Sequence, residues 1–264
     1  MLLTVDVGNT NIVQGIFEGD TLLVSWRLLT LHDRTADELW VLTSQLLSSS
    51  GIEPHQINGV VLSSVVPSLT QTMTEMMSRR FGKEVFHVNA DNSGLLICLE
   101  TPDEIGADRL VNSVAALALY GKSNRSLIVV DFGTATTFDV VSASGEYLGG
   151  VICPGAEISA DALFQRAARL PRVDVKKPDG LIGRTTESSM QSGLFFGHIA
   201  MVEGIVQRFE RDLKDDTQVV CIATGGLASS IASETTVIDH VNPDLTLTGL
   251  KLIWERNKKA GSKQ

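Results

Sequence analysis

Two short stretches of the sequence join an aspartate to glycine and small polar residues: "DVGNTN" at residues 6–11 and "DFGTAT" at 131–136. A third glycine turn, "TGG", occupies residues 224–226. The first two follow the apolar runs "LLTV" and "SLIVV", so each Asp falls at the end of a strand. A carboxylate so placed can hold a hard cation, directly or through water. The Gly lets backbone approach a ligand with no Cβ in the way. The small polar residues offer hydroxyls, amides and backbone N–H groups to phosphate oxygens. Asp6 aligns with Asp131, Gly8 with Gly133 and Asn9 with Thr134, an offset of 125 residues or about half the chain. Two such turns, each opening a half of the chain, point to an internal duplication. Facing each other across a cleft they would clamp a polyphosphate, with the third turn against a nucleoside. There is no GxxxxGK[ST], and no GxGxxG after a strand, which argues against a P-loop or a Rossmann site.

The elements that must carry these turns follow from periodicity. Residues 2–30 read as strands, "LLTVDV", "IVQGIF" and "TLLVSWRL", separated by "GNTN" and "EGD". Thr35 and Glu38 form a capping box, Leu39, Leu42, Leu46 and Leu47 follow at helical spacing, and Gly51 is the stop. "INGVVLSSVVP" has the continuous apolar character of a buried parallel strand. After Pro67, Leu69, Met73, Met76, Met77 and Phe81 share one helical face and read as core. "EVFHV" is a short strand, and a helix begins near Gly106 with Leu110, Val111 and Val114 on its apolar side. In the second half, "SLIVVDFGTATTFDVV" and "YLGGVI" read as strands, 188–213 as a helix and "VVCIATGGLAS" as strand, turn and helix start. "LTGLKLIWERNKKA" is a last amphipathic helix with a frayed "GSKQ" tail. The turn-formers of "YGKSNRS" at 120–126 divide the chain into domains 1–120 and 121–264. The expected class is α/β, two similar domains with mixed sheets flanked by helices.

With 43% hydrophobic residues the chain can build sizeable cores. Its formal charge of −9 argues against a general nucleic-acid binder, which needs surplus Lys and Arg to displace counterions. Three cysteines, Cys98, Cys153 and Cys221, without a CxxC or Cys/His cluster read as thiols in a reducing compartment. Neither a signal peptide nor a membrane span is legible, so the expected location is cytoplasmic.

The paired Asp-x-Gly turns and the later Gly-Gly turn resemble the actin-like (ribonuclease H-like) ATPase fold, which implies an active-site cleft between the domains. A narrower resemblance comes from seven motifs in order: "DVGNT" at 6–10, "SSVVP" at 63–67, "GADR" at 106–109, "DFGTATT" at 131–137, "GGVICPG" at 149–155, "TTESSMQSGLFFG" at 185–197 and "TGG" at 224–226. Together they look like type III pantothenate kinase over nearly the whole chain. That resemblance implies ATP-dependent phosphorylation of pantothenate, the first step of coenzyme A biosynthesis, by a cytoplasmic homodimer needing Mg²⁺ and a monovalent cation, K⁺ or NH₄⁺.

Carried over motif by motif, it implies that Asp6, Val7, Gly8, Asn9, Thr10, Asn11, Ile12 and Val13 form the first ATP turn, with Asp6 serving Mg²⁺. Thr134, Gly225 and Gly226 would also contact ATP, and Asp131 would bind the monovalent cation. Gly106, Ala107, Asp108, Arg109, Thr186 and position 99 would meet pantothenate, with Asp108 catalytic. Leu99 departs from the tyrosine common in this family and cannot donate a phenol hydrogen bond. In the first turn of its helix, Asp108 is expected to be held ionised by the helix dipole and so to be a weak base. The Arg109 fork suits a carboxylate-bearing substrate. Two alternatives stand beside this reading: a non-catalytic relative acting on gene expression, and an actin-like kinase for another small molecule.

Overall fold

A computed structural model describes residues 1–122, 124–213 and 218–261. The chain forms two compact units, Met1–Ala115 with the segment from Asp244 onward, and Ala116–Pro243.

The first unit opens with β1 (Leu2–Val7), β2 (Asn11–Glu18) and β3 (Thr21–Leu29), then α1 (Ala36–Ser49). The predicted capping box starts α1, Glu38 N–H donating to the Thr35 hydroxyl and Thr35 N–H to the Glu38 carboxylate. β4 (Gly59–Ser64), α2 (Pro67–Phe81), β5 (Val85–His87), α3 (Ala90–Ser93), β6 (Leu96–Ile97) and the start of α4 (Ala107–Tyr120) follow. The sheet order is β3-β2-β1-β4-β5, antiparallel through β1–β3 and parallel from β1 through β4 to β5.

Alternating side chains give this sheet two apolar faces. Leu3, Val5, Val7, Val60 and Leu62 join Leu39 and Leu47 of α1 and the predicted α2 stripe, all of it buried. On the other face Leu2, Phe17 and Val61 meet Val111 and Val114 of α4.

The second unit repeats the plan. β7 (Ser126–Phe132), β8 (Ala135–Val141) and β9 (Glu146–Pro154) are followed by α5 (Ala156–Arg166), α6 (Thr186–Asp212), β10 (Val219–Gly225), α7 (Ala228–Ala232) and β11 (His240–Val241). Within the unit the order is β11-β10-β7-β8-β9, antiparallel through β7–β9 and parallel from β7 through β10 to β11. β7 therefore takes the place that β1 takes in the first unit, and the duplication read from two short motifs extends to the topology.

The domain limits differ from those expected. The compact units divide within α4 rather than at 120/121, and α8 (Leu245–Gly261) belongs with the first unit. Leu247, Leu250 and Ile253 of α8 fill the face lined by Leu2, Phe17 and Val61, which would otherwise stay wet. Gly249 permits the approach, because a Cβ there would collide with the Val111 carbonyl. Helix α5 has no counterpart in the sequence reading, and residues 262–264 of the expected frayed tail lie outside the described residues.

Candidate active site

In the first unit, β1 carries Asp6 to its end, in register with Val13 of β2 and Ser63 of β4. The turn that follows closes on itself, Gly8 N–H donating to the Asn11 carbonyl at 3.0 Å. Thr30, just past β3, secures it from outside. Its hydroxyl donates to the Gly8 carbonyl at 2.7 Å and its N–H to the Thr10 carbonyl at 2.9 Å. Thr30 is buried, and sequence reasoning missed it. Asn9 is exposed while Asp6, Gly8, Thr10, Asn11 and Val13 are half-buried, so the turn presents polar groups to a ligand. Val7 and Ile12 are fully buried in the core facing α1 and α2. Their side chains serve packing, which leaves only their backbone for a nucleotide.

The "GADR" segment lies at the start of α4. Asp108 turns back so that its Oδ1 accepts the Arg109 N–H at 2.8 Å. The fold of this carboxylate over Gly106 explains the glycine, since a Cβ there would sit 2.5 Å from Asp108 Oδ1. Asp108 keeps some exposed surface, yet its carboxyl is deep enough that burial pushes its pKa above the ordinary range. The Arg109 N–H and the Arg109 charge pull the other way and are outweighed. The expectation of a weak, dipole-stabilised base is thereby corrected: desolvation of the charged form exceeds the helix-start effect. A cavity of about 520 Å³ is lined by Gly106, Ala107, Ile105, Asp103, Ser64, Val65 and the Val88–Asp91 segment; Asp108 and Arg109 are not among its lining residues. It thus brings together the "GADR" and "SSVVP" motifs, 40 residues apart in sequence. Leu99 is half-buried between β6 and α4, outside the residues lining this cavity.

In the second unit, Asp131 occupies the end of β7. Gly133 N–H donates to the Ala135 carbonyl at 3.1 Å, and Gly155 N–H to the Thr134 carbonyl at 3.2 Å. Gly155 is a further residue the sequence reading gave no role. A Cβ there would strike the Gly133 and Thr134 carbonyls, so the phosphate-type turn can close only against glycine. Gly225 ends β10 at φ +91°, and Gly226 N–H donates to the Phe132 carbonyl at 3.1 Å. A Cβ on Gly225 would lie 2.7 Å from Asp131 Oδ1 and 2.6 Å from the Phe132 oxygen. Two oxygens, one of them from a carboxyl group, thus converge on the space that glycine leaves bare. Thr186 is exposed in the first turn of α6, with Thr185 as its N-cap.

The family resemblance implies two cations, and oxygen donors of this kind are what hard cations take. Among the described residues no group of three or more His, Cys, Asp or Glu could cage a metal. Mg²⁺ does not need such a cage, since it keeps waters and binds through one or two carboxylates plus substrate phosphates; Asp6 is such a carboxylate. A monovalent cation suits the paired Asp131 and Phe132 oxygens.

A duplicated α/β unit with an Asp-x-Gly turn at the end of each central strand is the arrangement of the actin-like fold. Solved structures agree at the level of fold: ethanolamine utilization protein EutJ from Carboxydothermus hydrogenoformans aligns with a TM-score of 0.55 at 12% identity, covering 95% of this chain and 89% of that one. A Campylobacter jejuni protein with a Baf family transcriptional activator designation aligns with a TM-score of 0.58 at 19% identity, covering 97% and 99%. Sequence comparison is narrower. The type III pantothenate kinase family pattern matches residues 2–208. Type III pantothenate kinases of Moorella thermoacetica and Syntrophotalea carbinolica are 49% and 48% identical, over 97% and 98% of this chain and all of theirs. The chain belongs to the type III pantothenate kinase family.

Proposed function

We propose that this protein transfers the γ-phosphoryl group of ATP to the 4′-hydroxyl of pantothenate. The observation that carries the reading, beside family membership, is the cavity that joins Gly106 and Ala107 of "GADR" to "SSVVP", with Asp108 next in the chain in the first turn of α4. Asp108 accepts the hydroxyl proton and orients the oxygen for in-line attack. Its raised pKa brings it closer to the pH at which a general base works best. Phosphoryl transfer passes through a loose transition state, so positioning and charge neutralisation carry most of the catalysis. Gly106 and Ala107 line the pantothenate pocket, Arg109 and Thr186 hold the substrate, and Leu99, outside that lining, offers the substrate no side-chain hydrogen bond. The backbone of the turn that follows Asp6, with Thr134 and the Gly225–Gly226 turn, holds ATP. Asp6 would hold Mg²⁺, which when bound neutralises charge on the phosphate oxygens. Asp131, with the Phe132 carbonyl, would hold K⁺ or NH₄⁺.

The same reading makes the protein a cytoplasmic homodimer. The second unit exposes Leu148 and Ile152 on β9, Ile158, Leu163 and Phe164 on α5, and Leu181 and Ile182 beyond it. Such exposed apolar side chains would suit contact with a second copy. Among the described residues, no helix is long and apolar enough to cross a membrane. The test is ADP release by purified protein with ATP, Mg²⁺, K⁺ and pantothenate. Release that depends on pantothenate is expected, and its absence would remove the proposal.

A further inference from the structure

Helix α3 is a single turn of four residues, too short to persist on its own hydrogen bonds. At its start Asn89 and Asn92 cap each other: Asn89 N–H donates to Asn92 Oδ1 at 3.0 Å and Asn92 N–H to Asn89 Oδ1 at 3.1 Å. The Asn92 side chain also donates to the His87 carbonyl at 2.7 Å, which ties the turn to the end of β5. The last carbonyls of α3 have no further helical turn to bond. Helix α8 takes them instead. Arg256 Nη1 donates to the Ser93 carbonyl at 3.0 Å, and Asn257 Nδ2 to the Asn92 carbonyl at 2.9 Å. Gly94 ends α3 at φ +73°, and a Cβ on it would collide with Arg256 Nη1. The glycine thus serves both the left-handed turn and the approach of the guanidinium.

What α3 carries is a wall of the cavity. Val88, Asn89, Ala90 and Asp91 line it, and the two residues gripped by α8, Asn92 and Ser93, come next in the chain. Helix α8 does not depend on that grip for its own docking, since Leu247, Leu250 and Ile253 already fill the sheet face beneath it. The two polar contacts therefore act on α3: they fix where a single turn of helix stands against a firmly anchored one. We propose that Arg256 and Asn257 are positioning residues for the acceptor substrate, which hold α3, and with it the Val88–Asp91 wall, at the place pantothenate needs. This rests on the reading of the cavity as the pantothenate pocket.

The experiment combines the kinetics of ADP release, each substrate varied in turn, with native-state hydrogen exchange. Arg256→Ala is expected to raise the KM for pantothenate about tenfold, the size of one charge-assisted hydrogen bond, with kcat and the KM for ATP within about twofold of the wild type. Asn257→Ala removes a neutral hydrogen bond and should raise the same KM about threefold. In Arg256→Ala the Asn92 and Ser93 amides, which bond Asn89, should exchange about tenfold faster while those of β1 and β4 keep the wild-type rate, a local loss that general destabilisation would not give. Gly94→Ala should act like Arg256→Ala, because its methyl group displaces the guanidinium. Adding Arg256→Ala to it should then change the KM by less than about twofold, whereas independent losses would multiply. If Gly94→Ala does not fold, Gly94→Asn, which tolerates the left-handed turn, replaces it. A pantothenate KM unchanged by Arg256→Ala, a KM for ATP that rises with it, or effects of the two substitutions that multiply would each overturn the inference while the kinase activity stands. A wild type that releases no ADP in response to pantothenate removes the activity and this inference with it.

Discussion

Asp108 joins two opposed demands on one side chain. As a proposed base it must ionise, yet its burial resists ionisation more than the Arg109 N–H and charge support it. Asp108→Asn is expected to lower kcat at least about a hundredfold, the usual scale for a general base, with folding intact; near-wild-type turnover would remove Asp108 from catalysis. Because the folded-state pKa is raised, the native state binds the carboxyl proton more tightly than the unfolded state does. The group therefore costs no stability below the ordinary Asp pKa, and costs progressively more as pH rises through the raised value. The inactive Asn variant should accordingly resist urea better than the wild type at pH 7, and the difference should vanish near pH 3 in the same titration. The acid limb of the wild-type kcat/KM profile should likewise lie above the ordinary Asp range, since activity needs the deprotonated form.

The turns depend on contacts that spacing does not reveal. Asp6 and Asp131 were legible because strand, Asp and Gly recur as a local pattern, and the α2 methionine stripe because it follows helical periodicity. Thr30 was not, because its role is a hydrogen bond to a carbonyl 22 residues earlier, fixed only when β3 pairs with β2. Thr30→Val should raise the KM for ATP several-fold and cost about 1–2 kcal/mol of stability, through a Gly8 carbonyl left without its donor; unchanged ATP kinetics would limit Thr30 to a structural role. Gly155 escaped notice for the same reason, as its neighbours in space come from the turn after β7. The basicity of Asp108 was misjudged because burial of its carboxyl is set by tertiary packing, which position within the helix does not reveal. Gly225→Ala meets both a φ of +91° and the Asp131 oxygen. It should weaken the K⁺ response of the melting temperature well beyond its effect on the K⁺-free protein, and equal losses in both would refute the cradle.

At the scale of the molecule, the sequence conveyed two similar halves but not which half owns the last helix. The apolar stripe of α8 was visible, while its destination was set by the open sheet face it fills. Leu247, Leu250 and Ile253 are each almost completely buried against the first unit. At about 1.5–3 kcal/mol per fully buried side chain, their loss rivals the whole stability of a domain. A chain ending at Pro243 should therefore lose hydrogen-exchange protection in β1–β5 while keeping it in β7–β10; protected β1–β5 amides would contradict this. The first unit is thus assembled from two segments that flank the second in sequence, whereas the second is continuous. Synthesis on the ribosome runs from the N-terminus, so the unit begun first cannot be completed until α8 has been made. The unit translated second can finish folding before it, and the order of assembly reverses the order of the gene.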